Sequence, residues 1–237
     1  MKNKVLVIAA HPDDEILGCG ASIAKRVKQG DSVHTVIMAE GITSREAVRD
    51  RNKRASELSQ LAAAAKSANE TLGVHSLELL NFPDNRMDSV DRLNIIKEVE
   101  AIFAIHQPDI VYTHHANDLN IDHRRVHEAV ITVCRPQPES NIVKQLLFFE
   151  IPSSTEWQMG YSTPSFQPNW FDDVTDSLAK KMQALEAYQS EMRSWPHARS
   201  VEAVSYLAKW RGACIGVEAA EAFSLGRYIG ISARNLS

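Results

Sequence analysis

The stretch Lys4–Lys25, KVLVIAAHPDDEILGCGASIAK, decides the fold. Its first part, KVLVIAA, is a short, continuous apolar run rich in β-branched residues, the pattern of a strand buried on both faces of a parallel sheet. ILGCGASIAKRVKQG then reads as a helix entry and an amphipathic helix stopped by Gly30. Between them stand His11, Pro12, Asp13, Asp14 and Glu15. Adjacent like charges repel, so three acids at the end of a buried strand need compensation, and a bound cation is the first candidate. A helix cap by Asp14 or Glu15 would account for one acid. It would leave the histidine and the other two unexplained.

Downstream, strand and helix patterns alternate. SVHTVIMA is a second strand. Arg45–Leu72 is charged and alanine-rich, good helix material, and Gly73 ends it. HSLELLNF is a third strand, SVDRLNIIKEVEAIFAIH a helix, PDIVYTH a fourth strand, DHRRVHEAVITVCRP a helix and KQLLFFEI a fifth strand. This alternation predicts an α/β, doubly wound, mostly parallel sheet over residues 1–151, in which ligands bind beyond the carboxyl ends of the strands. Each of the five strands is followed by a polar cluster, and five such loops on one rim make a pocket. Residues 152–237 form an extension: a loop rich in Ser, Thr, Pro and aromatics, helices over Asp176–Arg193 and Ser200–Cys214, and a final strand in AEAFSLGRYIGI. With no repeat and no clear linker, residues 1–237 read as one domain.

Composition narrows the function. Hydrophobic residues make up 44% and charged residues 24% of 237, and the formal net charge is −4. An acidic balance argues against a nucleic-acid partner. The apolar run Val5–Ala10 is too short for a signal core or a membrane span, so no stable membrane insertion is expected. Cys19, Cys134 and Cys214 are odd in number and far apart, which favours a reducing, cytoplasmic compartment.

His11 and Asp14 share a tight strand–helix turn, and imidazole and carboxylate are suitable zinc ligands. A second cluster lies in THHANDLNIDHRRVHEA, which holds His114, His115, Asp118, Asp122, His123 and His127. His123 and His127 are four apart and can share a helix face; His127 alone reads equally well as a satisfied buried histidine. Clusters after two strands of one sheet can converge on one ion. A catalytic zinc needs three protein ligands and an open position, and His11, Asp14 and His123 supply such a set. Asp13, beside the ion but not on it, can then take a proton from the attacking water. The chemistry expected is hydrolysis of a carbonyl or phosphoryl group.

AHPDDE followed by the distal NIDHRRVHEA resembles the PIG-L/LmbE-like metallo-deacetylases, and FPDNRMD, PHARS, KWRG and GVEAAEAF resemble family segments in the same order. The resemblance implies a Rossmann-like fold and a zinc-dependent, or sometimes ferrous, hydrolase. Its small-molecule substrate is an N-acetylated amino sugar, free or nucleotide- or lipid-linked, in glycan biosynthesis. It implies His11, Asp14 and His123 as ligands, Asp13 as general base, Asp122 as an orienting group, and a homo-oligomer. The chain departs from the family at Asn120, where many members carry a histidine. Asn120 can donate to an oxyanion but cannot act as a general acid; His115 is a possible substitute, and Asp13 is another carrier for the proton.

Asp84, Arg86 and Asp88 are candidates to hold sugar hydroxyls or a phosphate, against a surface ion pair of little energetic value. Arg45 is placed to meet a phosphate or to stand as a solvated loop charge. Glu150 is a candidate to close the pocket, and Trp157 to stack on a sugar or join the core. His197 and Arg199 belong either to the rim or to a helix start capped by Ser200. Trp170, Trp195 and Trp210 are read as packing residues. The rival readings are a metal-dependent phosphoesterase on the same fold and a non-catalytic nucleotide-binding domain. The latter has little support, because Gly18 and Gly20 stand without a GxGxxG.

Overall fold

The computed structural model describes residues 2–137, 143–160 and 163–230. Among these, seven strands form one sheet in the order β3-β2-β1-β4-β5-β7-β6. The first five are β1 (Lys4–Ala9), β2 (Ser32–Ala39), β3 (Ser76–Phe82), β4 (Ile110–His114) and β5 (Gln145–Phe149). They run parallel. β6 (Trp170–Asp173) and β7 (Ala220–Tyr228) continue the same sheet antiparallel beyond β5. The helices are α1 (Asp14–Lys28), α2 (Ala55–Leu72), α3 (Arg92–His106), α4 (Ile121–Val133), α5 (Leu178–Leu185) and α6 (Val201–Ala213).

The apolar run of β1 is continuous because both its faces are covered. Val5 and Val7 pack with Ile23 of α1, Leu61 of α2 and Leu185 of α5 on one side. Leu6 and Ile8 pack with Val99 of α3 and Val126 of α4 on the other. β1 pairs with β2 on one edge and β4 on the other, so the chain reverses its direction of winding there. The loops after β1 and β4, which carry the two acidic/histidine clusters, therefore emerge side by side at the switch point.

Several expectations shift. The helix expected from Arg45 begins at Ala55; before it lie a 3-10 turn, Thr43–Arg45, and an irregular segment. Arg49 and Arg51 reach back to Glu40, and the Asp50 carboxylate accepts from the Lys53 amide, so side chains outcompete the helical ladder. The helix expected over Asp176–Arg193 ends at Leu185 and passes into a 3-10 turn, Glu186–Tyr188. Strand β6 gave no separate signal, being four residues at the end of a loop-like stretch. The final strand stops at Tyr228, and the expected end, Ile231, lies outside the described residues. Trp195 and Trp210, expected to pack, are 57% and 65% exposed. No helix among the described residues is long and apolar enough to cross a membrane.

Candidate active site

Helix α1 opens directly from β1, and its first turn presents three acids. Asp13 caps it at φ +106°, a left-handed backbone that a residue with a Cβ rarely adopts and that costs on the order of 1–3 kcal/mol. Buried Glu15 supports that geometry. One of its oxygens accepts from the Asp13 amide (3.1 Å), while the other accepts from Tyr188 Oη (2.6 Å) and Asn69 Nδ2 (3.0 Å). Burial raises Glu15 to about 7 against those hydrogen bonds. Glu15 thus ties the turn to α2 and to the segment after α5.

The same helix is broken at Cys19, whose φ of −149° interrupts the ladder. The break is spliced from outside. The Lys181 Nζ donates to the stranded carbonyl of Leu17 (2.7 Å), and Glu221 accepts from the amides of Ala21 (3.1 Å) and Ser22 (2.7 Å). Lys181 and Glu221 are themselves a buried ion pair at 2.7 Å. A Cβ on Gly18 would lie 2.5 Å from the Phe149 ring, so only glycine lets the first turn approach β5. The first turn of α1, with Asp13 and Asp14, is therefore braced by residues from α5, β5 and β7 as well as by Glu15 and its partners.

Three ligand atoms meet at the strand ends. His11 Nδ1 is 3.3 Å from Asp14 Oδ2, His123 Nε2 is 3.2 Å from the same oxygen, and the two imidazole nitrogens are 3.3 Å apart. A tetrahedral ion with bonds of about 2.0–2.2 Å holds its ligand atoms roughly 3.3–3.6 Å apart, so this triangle is close to the dimensions of one face of such a site. The remaining ring nitrogens meet carboxylates, as metal-binding histidines require. His11 Nε2 lies 3.0 Å from Asp122, and His123 Nδ1 lies 3.1 Å from Asp118. Asp122 is held by the amides of Asn85 (2.6 Å) and Met87 (2.8 Å). Asp118 is held by the hydroxyls of Ser154 and Thr155.

The electrostatics favour a cation. Burial pulls His123 down, but Asp14 and Asp118 outweigh it and raise it to about 9. Burial also opposes His11, which hydrogen bonds to Asp122 and Asp14 raise well above the ordinary value. Burial would raise Asp14, yet His123 and His11 hold it well below the carboxylate range. His114 behaves differently. Burial and the neighbouring His123 drive it well down, and its Nε2 accepts from the Ala10 amide at 2.7 Å, the role of a neutral ring that pins the end of β1.

Above the triangle is a cavity of about 190 Å³. Asp13 lines it, buried, with Oδ2 3.0 Å from Arg199 Nη1. Burial raises its pKa well above the usual value, against the pull of Arg199. Arg45, Asp84, Asn120 and Arg199 also line the cavity. Asp122 stands behind His11. Five other candidates are placed elsewhere. His115 packs edge-on against Phe166, and Glu150 is paired with Arg211 at 2.7 Å. Arg86 donates to the carbonyls of Glu46 and Ala47, and Asp88 is exposed. His127 is satisfied by the His114 carbonyl (2.8 Å). Ser200 does cap α6, and Arg199 before it still reaches the cavity.

Ser153 and Ser154, from the SSTEW stretch read as closing the pocket, do line the cavity; sequence reading passed over Asn85 and Glu191, which also line it, and gave Asp118 no role. Asp118 was visible within the second cluster. Glu191 carried no signal, being one polar residue in an apparent helix; it closes the rim by pairing with Arg45 at 3.1 Å.

Comparison with known proteins bears on this geometry. A family model described as PIG-L, GlcNAc-PI de-N-acetylase, matches residues 6–134. YaiS of Escherichia coli K12, described as an uncharacterized deacetylase, is 32% identical over 192 residues, covering 78% of this chain and 90% of its own. A diacetylchitobiose deacetylase of Thermococcus kodakarensis is 26% identical, covering 79% of this chain and 70% of its own. Among solved structures, the 4-carboxy-2-hydroxymuconate hydratase GalB of Pseudomonas putida KT2440 superposes with a TM-score of 0.72 at 22% identity, each chain covered fully. The fold is thus shared with a hydratase, and chemistry has to be argued from the site.

Proposed function

The chain belongs to the PIG-L family of de-N-acetylases, and on that premise we propose that it hydrolyses the acetamide of an N-acetylated amino sugar, releasing acetate and the free amine. The observation that carries this reading is the 3.2–3.3 Å triangle of His11 Nδ1, Asp14 Oδ2 and His123 Nε2 under a cavity lined by Asp13. Those three residues would hold a divalent ion, with zinc the first choice and ferrous iron the second. When bound, such an ion supplies Lewis acidity to a carbonyl and lowers the pKa of an attacking water to about 7.

The protein's own groups do the rest. Asp13 is a buried carboxylate whose raised pKa suits it to accept a proton and keep it. Arg199 holds that carboxylate in one orientation. Because His115 stands outside the cavity, Asp13 is also the carrier of the proton to the leaving amine. Asn120 uses its side-chain oxygen to cap α4 at the Asp122 amide (2.8 Å) and one amide hydrogen on Asn85 (2.8 Å). Its second hydrogen is left for a developing oxyanion. Asp122 and Asp118 hold the two histidine ligands in register. Arg45, Asp84 and Arg199 are the groups offered to sugar hydroxyls or to an anionic carrier; Arg86, Asp88 and Glu150 have no such place in the cavity. In this reading the enzyme works in the cytoplasm on precursors of a glycan.

The test is metal analysis of the purified protein followed by acetate and amine release over N-acetylated sugars and sugar nucleotides. Stoichiometric metal and acetate are expected. Phosphate release, or turnover that survives Asp13→Asn with metal retained, would overturn the reading.

A further inference from the structure

Three of the four tryptophans of this chain are at least half exposed. Trp157 is 50%, Trp195 57% and Trp210 65% exposed, and Tyr206 joins them at 54%. Tryptophan is ordinarily well buried, so a group of this kind signals a ligand. These rings are not scattered. Trp157 meets the His197 ring edge-on at 5.7 Å, and Trp195 meets Tyr206 edge-on at 5.6 Å. Tyr206 and Trp210 are four apart on α6 and share a face.

The group is continuous with the cavity. His197 Nδ1 accepts from the Arg199 amide (3.0 Å), and the Arg199 side chain reaches Asp13 (3.0 Å) and Ser153 (3.1 Å). Trp157 follows Ser153 by four residues, and Trp195 precedes His197 by two. From Asp13 outward, contacts run through Arg199 and His197 to Trp157; two residues before His197, Trp195 begins the second pair with Tyr206, one turn of α6 before Trp210.

The cavity itself, about 190 Å³, is smaller than the roughly 300–1,000 Å³ of pockets that enclose a drug-sized ligand. It has room for the reacting unit, and the remainder of any longer molecule must lie outside. These rings are accompanied along the chain by Glu156, Arg193, Glu202 and Lys209, all exposed. That mixture lacks the four to eight clustered cations by which a surface engages an anionic bilayer. Separate rings with polar groups between them suit sugar rings, each with an apolar face and a polar edge.

We infer that Trp157, Trp195, Tyr206 and Trp210 form a saccharide-stacking track leading out of the cavity, so that the acetylated unit is presented as part of an oligosaccharide. This rests on the deacetylase reading for its orientation, but its binding arm can be tested without turnover. The probes are N-acetylglucosamine and its β-1,4-linked tetramer. In Trp157→Ala and Trp210→Ala, the ratio of kcat/KM for the tetramer to that for the monosaccharide falls about tenfold, carried by KM, as truncating an aromatic anchor does. Calorimetric titration of the tetramer into Asp13→Asn protein gives saturable binding that weakens about tenfold when Trp157→Ala is added. Truncating exposed rings leaves thermal stability nearly unchanged, so misfolding does not confuse the result.

If no protein releases acetate but tetramer binding still depends on Trp157, the deacetylase reading fails and the track stands. If the variants slow both substrates equally, or if the tetramer binds no better than the monosaccharide, the track is overturned. It is also overturned if the tryptophans govern binding to phosphatidylglycerol vesicles or self-association in place of tetramer binding.

Discussion

Two groups of three histidines lie at opposite ends of this sheet. At the carboxyl ends, His11, His114 and His123 stand with Asp14, Asp118 and Asp122, and five of these six residues are buried. At the amino ends, His34 before the middle of β2, His75 before β3 and His106 at the end of α3 bring their rings within 4.4–5.1 Å of His34. There the polar partners of His34 are the hydroxyls of Ser76 (2.7 Å) and Ser32 (3.1 Å). The consequences run in opposite directions. Carboxylates lift His11 and His123 above the ordinary histidine value, whereas burial and the charges of His106, His75 and Lys4 depress His34 to about 4. Imidazoles gathered with Lys4 and with Glu78 acting only on His106 repel a cation at His34; the same rings gathered among carboxylates attract one. The carboxylates therefore make the difference between the proposed metal centre and a histidine cluster.

The largest test of that difference is Asp13→Asn. It removes the proposed base and keeps the donor triangle, so kcat falls about 10²–10⁴-fold while metal content and melting temperature hold. Acetate release against metal analysis on the same preparation reads both. Next comes the splice in α1. Lys181→Met leaves Glu221 buried without its partner and the Leu17 carbonyl without its donor. Denaturant unfolding is expected to show a loss of about 3–5 kcal/mol. Because the splice sets the first turn of α1, metal affinity weakens with it; a loss of stability with unchanged metal affinity would show that the turn is positioned by other contacts.

These tests also mark what could be read from the sequence. That His11, Asp14 and His123 come together was legible because these residues lie in loops that directly follow strands, and strand and loop are local patterns. The parallel sheet was legible from the alternation of strand and helix patterns and from the unbroken apolar run of β1, which two covered faces explain. Lys181 and Glu221 were not legible, since a helix break repaired by residues more than 150 positions away has no local period. Arg86 and Glu150 have side-chain types suited to sugar binding, but tertiary contacts turn them to backbone carbonyls and to Arg211. Trp195 and Trp210 look like core by type, and only the packing of α6 and of the turn before it leaves them facing solvent.

A smaller effect is expected at Asp118. Asp118→Asn keeps a hydrogen-bonding group beside His123 but removes the charge that supports it. Metal affinity weakens about 10–100-fold, the usual cost of losing a carboxylate behind a histidine ligand. A competition titration with a chromogenic chelator measures it. An unchanged affinity would mean that Asp118 serves mainly to anchor Ser154 and Thr155, and the contrast between the two histidine groups would then rest on Asp14 and Asp122 alone.

The smallest effect belongs to the acid-poor group. With His34 at about 4 in the folded chain and near 6.5 when unfolded, the unfolded state binds more protons between those values. The stability that His34 contributes is present above pH 6.5 and is lost as pH falls toward 4. His34→Gln removes that loss, so the variant's unfolding free energy flattens over this range, while at pH 8 it stays within about 0.5 kcal/mol of the parent. Ser76→Asp sharpens the contrast by placing a carboxylate against the His34 ring. It raises the folded-state pKa and so reduces or reverses the slope, bringing to the amino ends the electrostatics of the carboxyl ends. Urea unfolding at pH 4.5, 6 and 8 distinguishes these outcomes. If His34→Gln instead lowered metal content, the two histidine groups would be coupled through β1 and β2, and acidic neighbours alone would no longer explain why one of them is the proposed metal site.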